Sequence, residues 1–560
     1  MSSTAPSPTP VRRLPLAGVL RVGRPSDIWF KPALSVVVAT GVPNLTLLAL
    51  GRLDLAMYTM AGSLCALYAH NLPYAARARA LAWVVLGMLA SVAIALVTAS
   101  LTSSAVILVG VGALLAAAQK ALCDATRIGP PGPVIFAFIS SASLFAPQTF
   151  GQVPGHLALT AAAGVWAWLV GMAPGLVRPH GPERRATARA LKAAAAYAET
   201  CVTATGAGAG VTGTGTGHEG ARAAAAAAVH AAWQSLLATG PRSEPRRALE
   251  RLVVRAEVAL AAPTDTDAVR LRSWARELRG TGPVPRVTLA SAADELLGVE
   301  VELAAGERPL TRRLGPLLPL ALRTALGCAL AGYVSLALGV GHPFWALVTA
   351  ASLYQANITL TWSRGVQRVV GNLIGVLLFA AVAPLAHLGP AALVLCCLAF
   401  NFGAEALMSR NYWLGSVCVT PMALLITEFT GFRQPGALMA DRLVDTFVGA
   451  LVGFVAAIAV TNRRAGGRVE EALDTMERAR ERAARLIAAD RPDPGALESA
   501  RRHLAAALVE LRATADAAAG EWWQRALPEE RVLLAEQSGH RTLAATVRRQ
   551  GLHVLEGARA

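Results

Sequence analysis

Charge nearly vanishes from this chain between Ala33 and Val177 and again between Leu314 and Val460, while it is dense from Arg178 to Arg313 and from Asn462 onward. A water-soluble protein mixes polar and apolar residues over tens of residues. Apolar blocks this long call for an apolar solvent, and a bilayer accepts only segments that satisfy their own backbone polar groups. The chain is 54% hydrophobic and 16% charged, against roughly 25% charged in soluble domains. It reads as an all-α, multi-pass integral membrane protein.

Six spans are expected in the first block: Ala33–Leu50, Leu55–Ala69, Ala80–Thr98, Ala105–Ala118, Pro133–Phe145 and Leu157–Val177. The second, fourth and fifth are short of the roughly 20 residues that a helix needs to cross about 30 Å. The second block gives Leu314–Val340, Pro343–Ile358, Val369–Leu385, Pro390–Leu407, Trp413–Thr427 and Leu443–Val460. With the N-terminus inside, the cytoplasmic connections hold Arg77, Arg79, Lys120, Arg127, Arg364, Arg368 and Arg410, and the flanks add Arg178, Arg184, Arg185, Arg312, Arg313, Arg463 and Arg464. The outer side shows Arg52, Arg433 and Arg442. This is the positive-inside pattern, and it places both termini in the cytoplasm and the protein in the plasma membrane.

The two blocks share short matches in a common order. Ala61-Gly-Ser-Leu64 pairs with Ala350-Ala-Ser-Leu353 at an offset that also lays Arg79 on Arg368, and Leu157 to Thr160 pairs with Leu443 to Thr446. Six helices per unit make the halves point the same way, as parallel repeats, each followed by a helical cytoplasmic domain. The expected divisions are a disordered tail 1–27, a first membrane block 28–177, a cytoplasmic helical domain 178–313, a second membrane block 314–461 and a C-terminal cytoplasmic helical domain 462–560.

In the polar segments, helices are expected from Arg184 toward Thr203, then over Ala221–Ala238, Glu244–Ala261 and Asp265–Arg279, with a Gly/Thr-rich flexible stretch from Gly206 to Gly217. Apolar residues recur every three to four positions from Val469 to Leu486 and from Leu497 to Leu511, which predicts an antiparallel hairpin turning near Pro494. Its apolar faces need a partner, either each other or the other polar segment. Nearly all the positive charge behind the net +16 is Arg, and much of it flanks apolar runs, which suits anionic lipid rather than nucleic acid. Seven cysteines show no CxxC or Cys/His cluster, so neither a disulfide nor a metal is read, and no phosphate-binding loop GxxxxGK[ST] occurs. No cofactor and no enzymatic activity are expected.

The run Phe344-Trp-Ala-Leu-Val-Thr349, continuing through Ser363-Arg-Gly-Val-Gln-Arg368-Val-Val-Gly371 to Gly375, resembles the fusaric acid resistance protein-like (FUSC) family, which includes the aromatic acid exporters. Asp441-Arg-Leu-Val-Asp445-Thr446-Phe-Val-Gly449 looks like its Arg-x-x-Asp-Thr-x-x-Gly signature, and Arg323 matches a recurrent Arg of the second block's opening helix. The alternation of membrane and soluble segments also agrees. The first block keeps Arg79 but lacks both motifs. The resemblance implies a proton-driven exporter of small aromatic or other organic acids.

Ionisable groups inside spans are functional candidates by default. Glu405 and Asp445 are the candidates for proton coupling, each weighed against a plain ion pair, with Arg410 and with Arg442 respectively; Lys120 falls opposite Glu405 across the halves. Arg323, Arg368 and Arg79 are the candidates for binding a carboxylate, through the two-pronged geometry of a guanidinium, and Trp345 for stacking on an aromatic ring. For Arg79 and Arg368 the bland alternative is topology determination. Pairs of glycines four apart (371/375, 449/453, 171/175) suit close helix packing. Two rivals stand beside the exporter: an organic anion channel, and a membrane-anchored scaffold whose soluble helices bind a partner. A homo-oligomer is compatible with each.

Overall fold

The computed structural model describes residues 16–23, 25, 28–206, 214–239, 243–261, 263, 266–285, 314–355, 357–431, 434–459, 465–519 and most of 531–549. The start of the expected N-terminal tail, most of the Gly/Thr-rich stretch, the 286–313 boundary, and Arg312, Arg313, Arg433, Arg463 and Arg464 lie outside the described residues.

The apolar helices come in two groups. The first comprises α1 (Phe30–Ala49), α2 (Ala56–Ser63, extended by a 3-10 turn Leu64–Leu67), α3 (Tyr74–Leu101), α4 (Ala105–Thr126), α5 (Val134–Leu144) and α6 (Val153–Met172), followed by a single turn α7 (Pro174–Val177). Four charged helices follow: α8 (Gly181–Gly206), α9 (Thr214–Leu237), α10 (Glu244–Ala261) and α11 (Ala268–Arg279). The second group is α12 (Leu318–Ala337), α13 (Pro343–Leu353), α14 (Ile358–Ala386), α15 (Pro390–Met408), α16 (Tyr412–Thr427) and α17 (Pro435–Ala459). A charged pair, α18 (Ala465–Ala488) and α19 (Pro494–Ala519), comes after it.

Among the described residues, eight helices are long and apolar enough to cross a membrane. The four shorter apolar ones, over Leu53–Leu67, Val134–Leu144, Pro343–Leu353 and Tyr412–Thr427, occupy the second and fifth places of each group. Six apolar helices per block are present as expected, but in each block only four are long enough to cross unaided. The fourth, expected to be short, is a full-length helix, while Pro343–Ile358 stops being helical at Leu353. Within the groups, α2 packs on α6 as α13 packs on α17, and α3 meets α5 and α6 as α14 meets α16 and α17. Between the groups, α1 packs against α15 and α12 against α4.

Small residues permit these contacts. A Cβ at Gly62 would lie 2.2 Å from the Thr160 carbonyl oxygen, and one at Gly449 2.4 Å from that of Ala346. The other expected glycine pairs also sit at close approaches, with Gly371 against Ser416 and Gly375 against Thr420. Outward-facing Leu34, Val38, Leu326, Leu330, Leu377 and Leu451 remain exposed, as lipid-facing positions should.

Residues 16–23, expected to be disordered, are held against the second group. The Val19 carbonyl accepts from Gln367 at 2.8 Å and Asn411 at 3.1 Å, and Leu20's from the Trp413 indole at 3.1 Å. The charged helices form their own apolar cores. One is built on α8–α11 around Leu191, Trp233, Leu252 and Leu271, another on the α18–α19 hairpin around Met476 and Leu504. The two cores meet through buried charge. Arg501 bridges Glu257 and Glu498, each at 2.8 Å; Arg502 also bonds Glu498 at 2.8 Å and lies 4.6 Å over the Trp233 ring, whose indole donates to Glu257. The hairpin's partner is thus both its own other arm and the first polar segment.

Candidate functional site

The second helix of the second group is the structural anomaly that positions the site. All eleven residues of α13 are buried, and eleven residues rise only about 16 Å, roughly half of a hydrocarbon core. Pro343 opens it, where a missing N–H costs no helical bond, and Tyr354 ends it in an extended conformation (φ −64°, ψ 113°). Asn357 is extended again (φ −145°, ψ 170°), and its side chain caps α14 by accepting the Leu360 N–H at 2.8 Å. The Gln355 N–H finds the Thr361 hydroxyl at 3.2 Å. Non-helical backbone at membrane depth is tolerated where protein buries it or where it lines a cavity, and interrupted helices at matching places of two halves mark substrate sites in transporters.

Helix α17 faces this break. Arg442, Asp445, Thr446, Gly449 and Gly453 recur every three to four residues and are all buried, so they form one face. Glycine at 449 and 453 brings the α17 backbone onto α13, and the polar residues sit beyond them toward the N-terminal end of α17. The Ser335 hydroxyl of α12 donates to Asp445. Asn372 of α14 donates to the Thr446 hydroxyl at 2.9 Å and accepts from Thr420 of α16. Arg368 donates to the Tyr412 hydroxyl at 3.1 Å, and Arg364 covers the Tyr412 ring at 3.8 Å. The Arg442 guanidinium lies 5.1 Å from the centre of the Trp345 ring. On that ring His342 stacks at 4.6 Å, its Nδ1 2.9 Å from Asp441.

Several buried groups here have no protein partner: Nε and Nη1 of Arg442, Oδ2 of Asp445, the Trp345 indole N–H, and the hydroxyls of Thr349 and Tyr354. A buried polar group left unpaired costs about 1–3 kcal/mol, more when charged. Donors outnumber acceptors in this set, an arrangement complementary to an anion. The aromatic face of Trp345 lies beside the guanidinium, so a planar carboxylate could meet both.

The sequence-predicted residues are distributed unevenly around this cluster. Trp345, Arg368 and Asp445 belong to it, all at most 3% exposed, and Arg368 lies within electrostatic reach of Arg442. Arg323 is buried on α12 near Tyr354, twelve residues before Ser335 and hence about 18 Å along the helix from the Asp445 contact. Glu405 is half-buried on α15, apart from the cluster, and makes no hydrogen bond or ion pair among the described residues. Lys120 pairs with Asp124 at 2.9 Å rather than with Glu405. Neither alternative ion pair, Glu405 with Arg410 or Asp445 with Arg442, forms among the described residues; Asp445 takes Ser335 instead.

Arg79 is exposed, whereas Arg77 is buried and bonded to His70 at 3.1 Å. Buried positions of α3 and α14 match in series as Arg77 with Arg368, Leu81 with Asn372, Val84 with Gly375, Met88 with Phe379 and Val92 with Ala383. In this burial register Arg368 lines up with Arg77, whereas the short sequence matches line it up with Arg79. Sequence reading also missed Arg442 as the central cation, weighing it only as a salt-bridge partner. The signal was present in its three-residue spacing from Asp445.

Residues 329–456 match the family described as fusaric acid resistance protein-like. This segment holds every residue of the α13–α17 cluster and leaves Arg323 just outside. Over 486 residues the chain is 25% identical to the uncharacterized membrane protein YvaC of Bacillus subtilis (strain 168), covering 79% of this chain and 74% of that relative. An uncharacterized protein of Haemophilus influenzae is 31% identical over 153 residues, 27% of this chain and 20% of that protein. No solved structure matches the chain. The fusaric acid resistance protein-like match is consistent with a transport role. Among the described residues no group of three His, Cys, Asp or Glu could hold a metal ion.

Proposed function

We propose that the protein is a secondary transporter that exports small organic anions or aromatic compounds, coupled to protons, from a plasma membrane in which both termini face the cytoplasm. The observation that carries this reading is the buried Arg442 guanidinium, its Nε and Nη1 without a protein partner, set beside Trp345 and the interrupted helix α13. Arg442, aided by Arg368, binds the carboxylate; Trp345 receives the aromatic ring; Asp445 exchanges the proton. Arg323 offers the anion a second position deeper along α12. Glu405 is a weaker candidate for the proton, since it lies on a helix at the contact with α1 rather than at the break.

The twelve apolar helices act as two parallel repeats. Three observations support this: short helices in the second and fifth places of both groups, exchanged packing of α1 on α15 and α12 on α4, and the shared burial register of α3 and α14. A two-fold relation along the membrane normal produces that exchange. Loop arginines on one side fix the orientation.

The test is flux of a panel of aromatic and aliphatic carboxylates in proteoliposomes under an imposed pH gradient. Flux should follow the gradient in the natural protein and be lost in Arg442→Gln and Asp445→Asn. Undiminished pH-driven flux in both variants would overturn the site. Currents independent of the pH gradient would replace the exporter by a channel.

A further inference from the structure

We infer that a phosphate-bearing anion, the headgroup of an anionic lipid, binds in the cleft where the near ends of α1, α3 and α6 meet α8 and α11. The inference rests on the proposed topology only in assigning this leaflet to the cytoplasmic side. A cavity of about 50 Å³ there is lined by Ile28, Asn71, Pro182, Arg185, Arg189 and Arg279. Three more cations converge on it from different elements. Lys31 lies in the first turn of α1, Arg77 in the first turn of α3 and Arg178 directly after α7; all three lie within electrostatic reach of one another or of Arg185.

The acidic group facing Arg185 is Glu183, itself 2% exposed and turned to Thr239 at 3.5 Å. Like charges gathered at a half-buried site repel more strongly than in water. Burial chiefly, with Arg189 and Arg178 adding to it, holds the Arg185 guanidinium below its ordinary range. Its Nε donates to the Gly181 carbonyl at 3.1 Å, but its buried Nη1 has no protein partner. Arg184, the neighbour, is turned away to the end of α11 by the Leu278 carbonyl at 3.2 Å. The N-termini of α1 and α8 open at the cleft and add their partial positive charge.

Depth favours a lipid over a soluble phosphate. Two of the cations, Lys31 and Arg77, occupy the first turns of apolar spans, where headgroups lie, and Trp29, Phe30 and Leu34 are exposed at the same end of α1, where interfacial aromatics and acyl chains meet.

The full chain, purified in mild detergent, tests this by native mass spectrometry and by thermal shift with added phosphatidylglycerol, phosphatidylcholine or inorganic phosphate. One phosphatidylglycerol per chain should be retained, and it alone should raise the melting temperature. Arg185→Ala should cut that retention at least tenfold, with Arg185→Lys restoring part of it. Arg189→Glu, at an exposed position that threatens folding least, should also cut retention. Equal retention by the natural protein and Arg189→Glu would overturn the site. An equal shift from inorganic phosphate would overturn the lipid as its occupant. Neither readout depends on flux, so failure here leaves the transport reading standing.

Discussion

The two groups of apolar helices share a plan of lengths and close approaches but differ in what their interiors hold. In the first, α6 presents Thr160, Ala163, Gly164 and Ala167 to its neighbours; in the second, α17 presents Asp445, Thr446, Gly449 and Gly453. The pairing of Leu157–Thr160 with Leu443–Thr446 puts Leu159 against Asp445 and His156 against Arg442. His156 stacks on Tyr58 at 3.8 Å, while Arg442 covers Trp345. The aromatic contact near the start of the last helix recurs in both, but a permanent cation and a buried carboxylate occur in one. Packing requirements maintain a fold; uncompensated buried charge is held only where something uses it. On the proposed function, both groups serve as framework and the second carries the chemistry.

The sharpest way to break this assignment is at Asp445 and Arg442. If these groups hold substrate and proton, losing either interaction should raise the barrier to transport by about 3 kcal/mol, so pH-driven flux should fall about a hundredfold in Asp445→Asn or Arg442→Gln. Leu159→Asn, at the matching place of the first group, should keep most of the flux. Equal loss from both substitutions would erase the distinction.

The framework side predicts the opposite symmetry. Even a methyl group at Gly62 or Gly449 would press within 2.4 Å of a backbone oxygen. Gly62→Ala and Gly449→Ala should each destabilise the detergent-solubilised protein by about 1–3 kcal/mol or more, seen as a lower melting temperature. A drop in only one of them would show that the two groups do not share their packing plan.

Much of this division was legible in the sequence. The apolar blocks, the glycine spacings and the motif from Asp441 to Gly449 all follow from local composition and period. What escaped is non-local. Helix α13 looks like a span because the apolar run from Pro343 to Leu353 continues through Tyr354 to Ile358 without a charge, and its break is set by the Asn357 cap and by Tyr354 lying against Gly327. Ion pairs near in sequence, such as Arg442 with Asp445, were plausible, but Ser335 wins that contact from another helix. Short identities aligned Arg79 with Arg368, whereas burial aligned Arg77. Which arginine faces inward depends on helix rotation, and two positions along a helix amount to about half a turn.

Acid should act on the soluble helices too, and this sharpens how flux profiles are read. His540, beside the contact of α9 and α19, is pushed down to about 4 by burial, with Arg222 adding to it. Its folded pKa is below the unfolded one, so between these values the unfolded chain binds more protons, and stability falls as pH drops from about 6.5 toward 4. The loss at pH 5.5 should be on the order of 1 kcal/mol, and His540→Gln should abolish that share of the acid dependence in thermal melts. Acid sensitivity of flux that survives in His540→Gln then belongs to the membrane site.

The smallest effect is expected at Arg79. It is exposed in the opening turns of α3, two residues from Arg77, whose guanidinium is buried against His70. An exposed loop-end arginine contributes to orientation and little else, and neighbouring Arg77, Lys120 and Arg127 supply the same bias on this side. Arg79→Gln should therefore change flux by less than about twofold, since isolated surface charges contribute within about 1 kcal/mol. Arg368→Gln, which strips the Tyr412 contact and a cation within reach of Arg442, should cost about tenfold or 1.4 kcal/mol. Measured side by side in the same proteoliposomes, the two test whether Arg368 meets the substrate, as proposed, while Arg79 does not. A loss at Arg79 as large as at Arg368 would give the first group a share in anion binding.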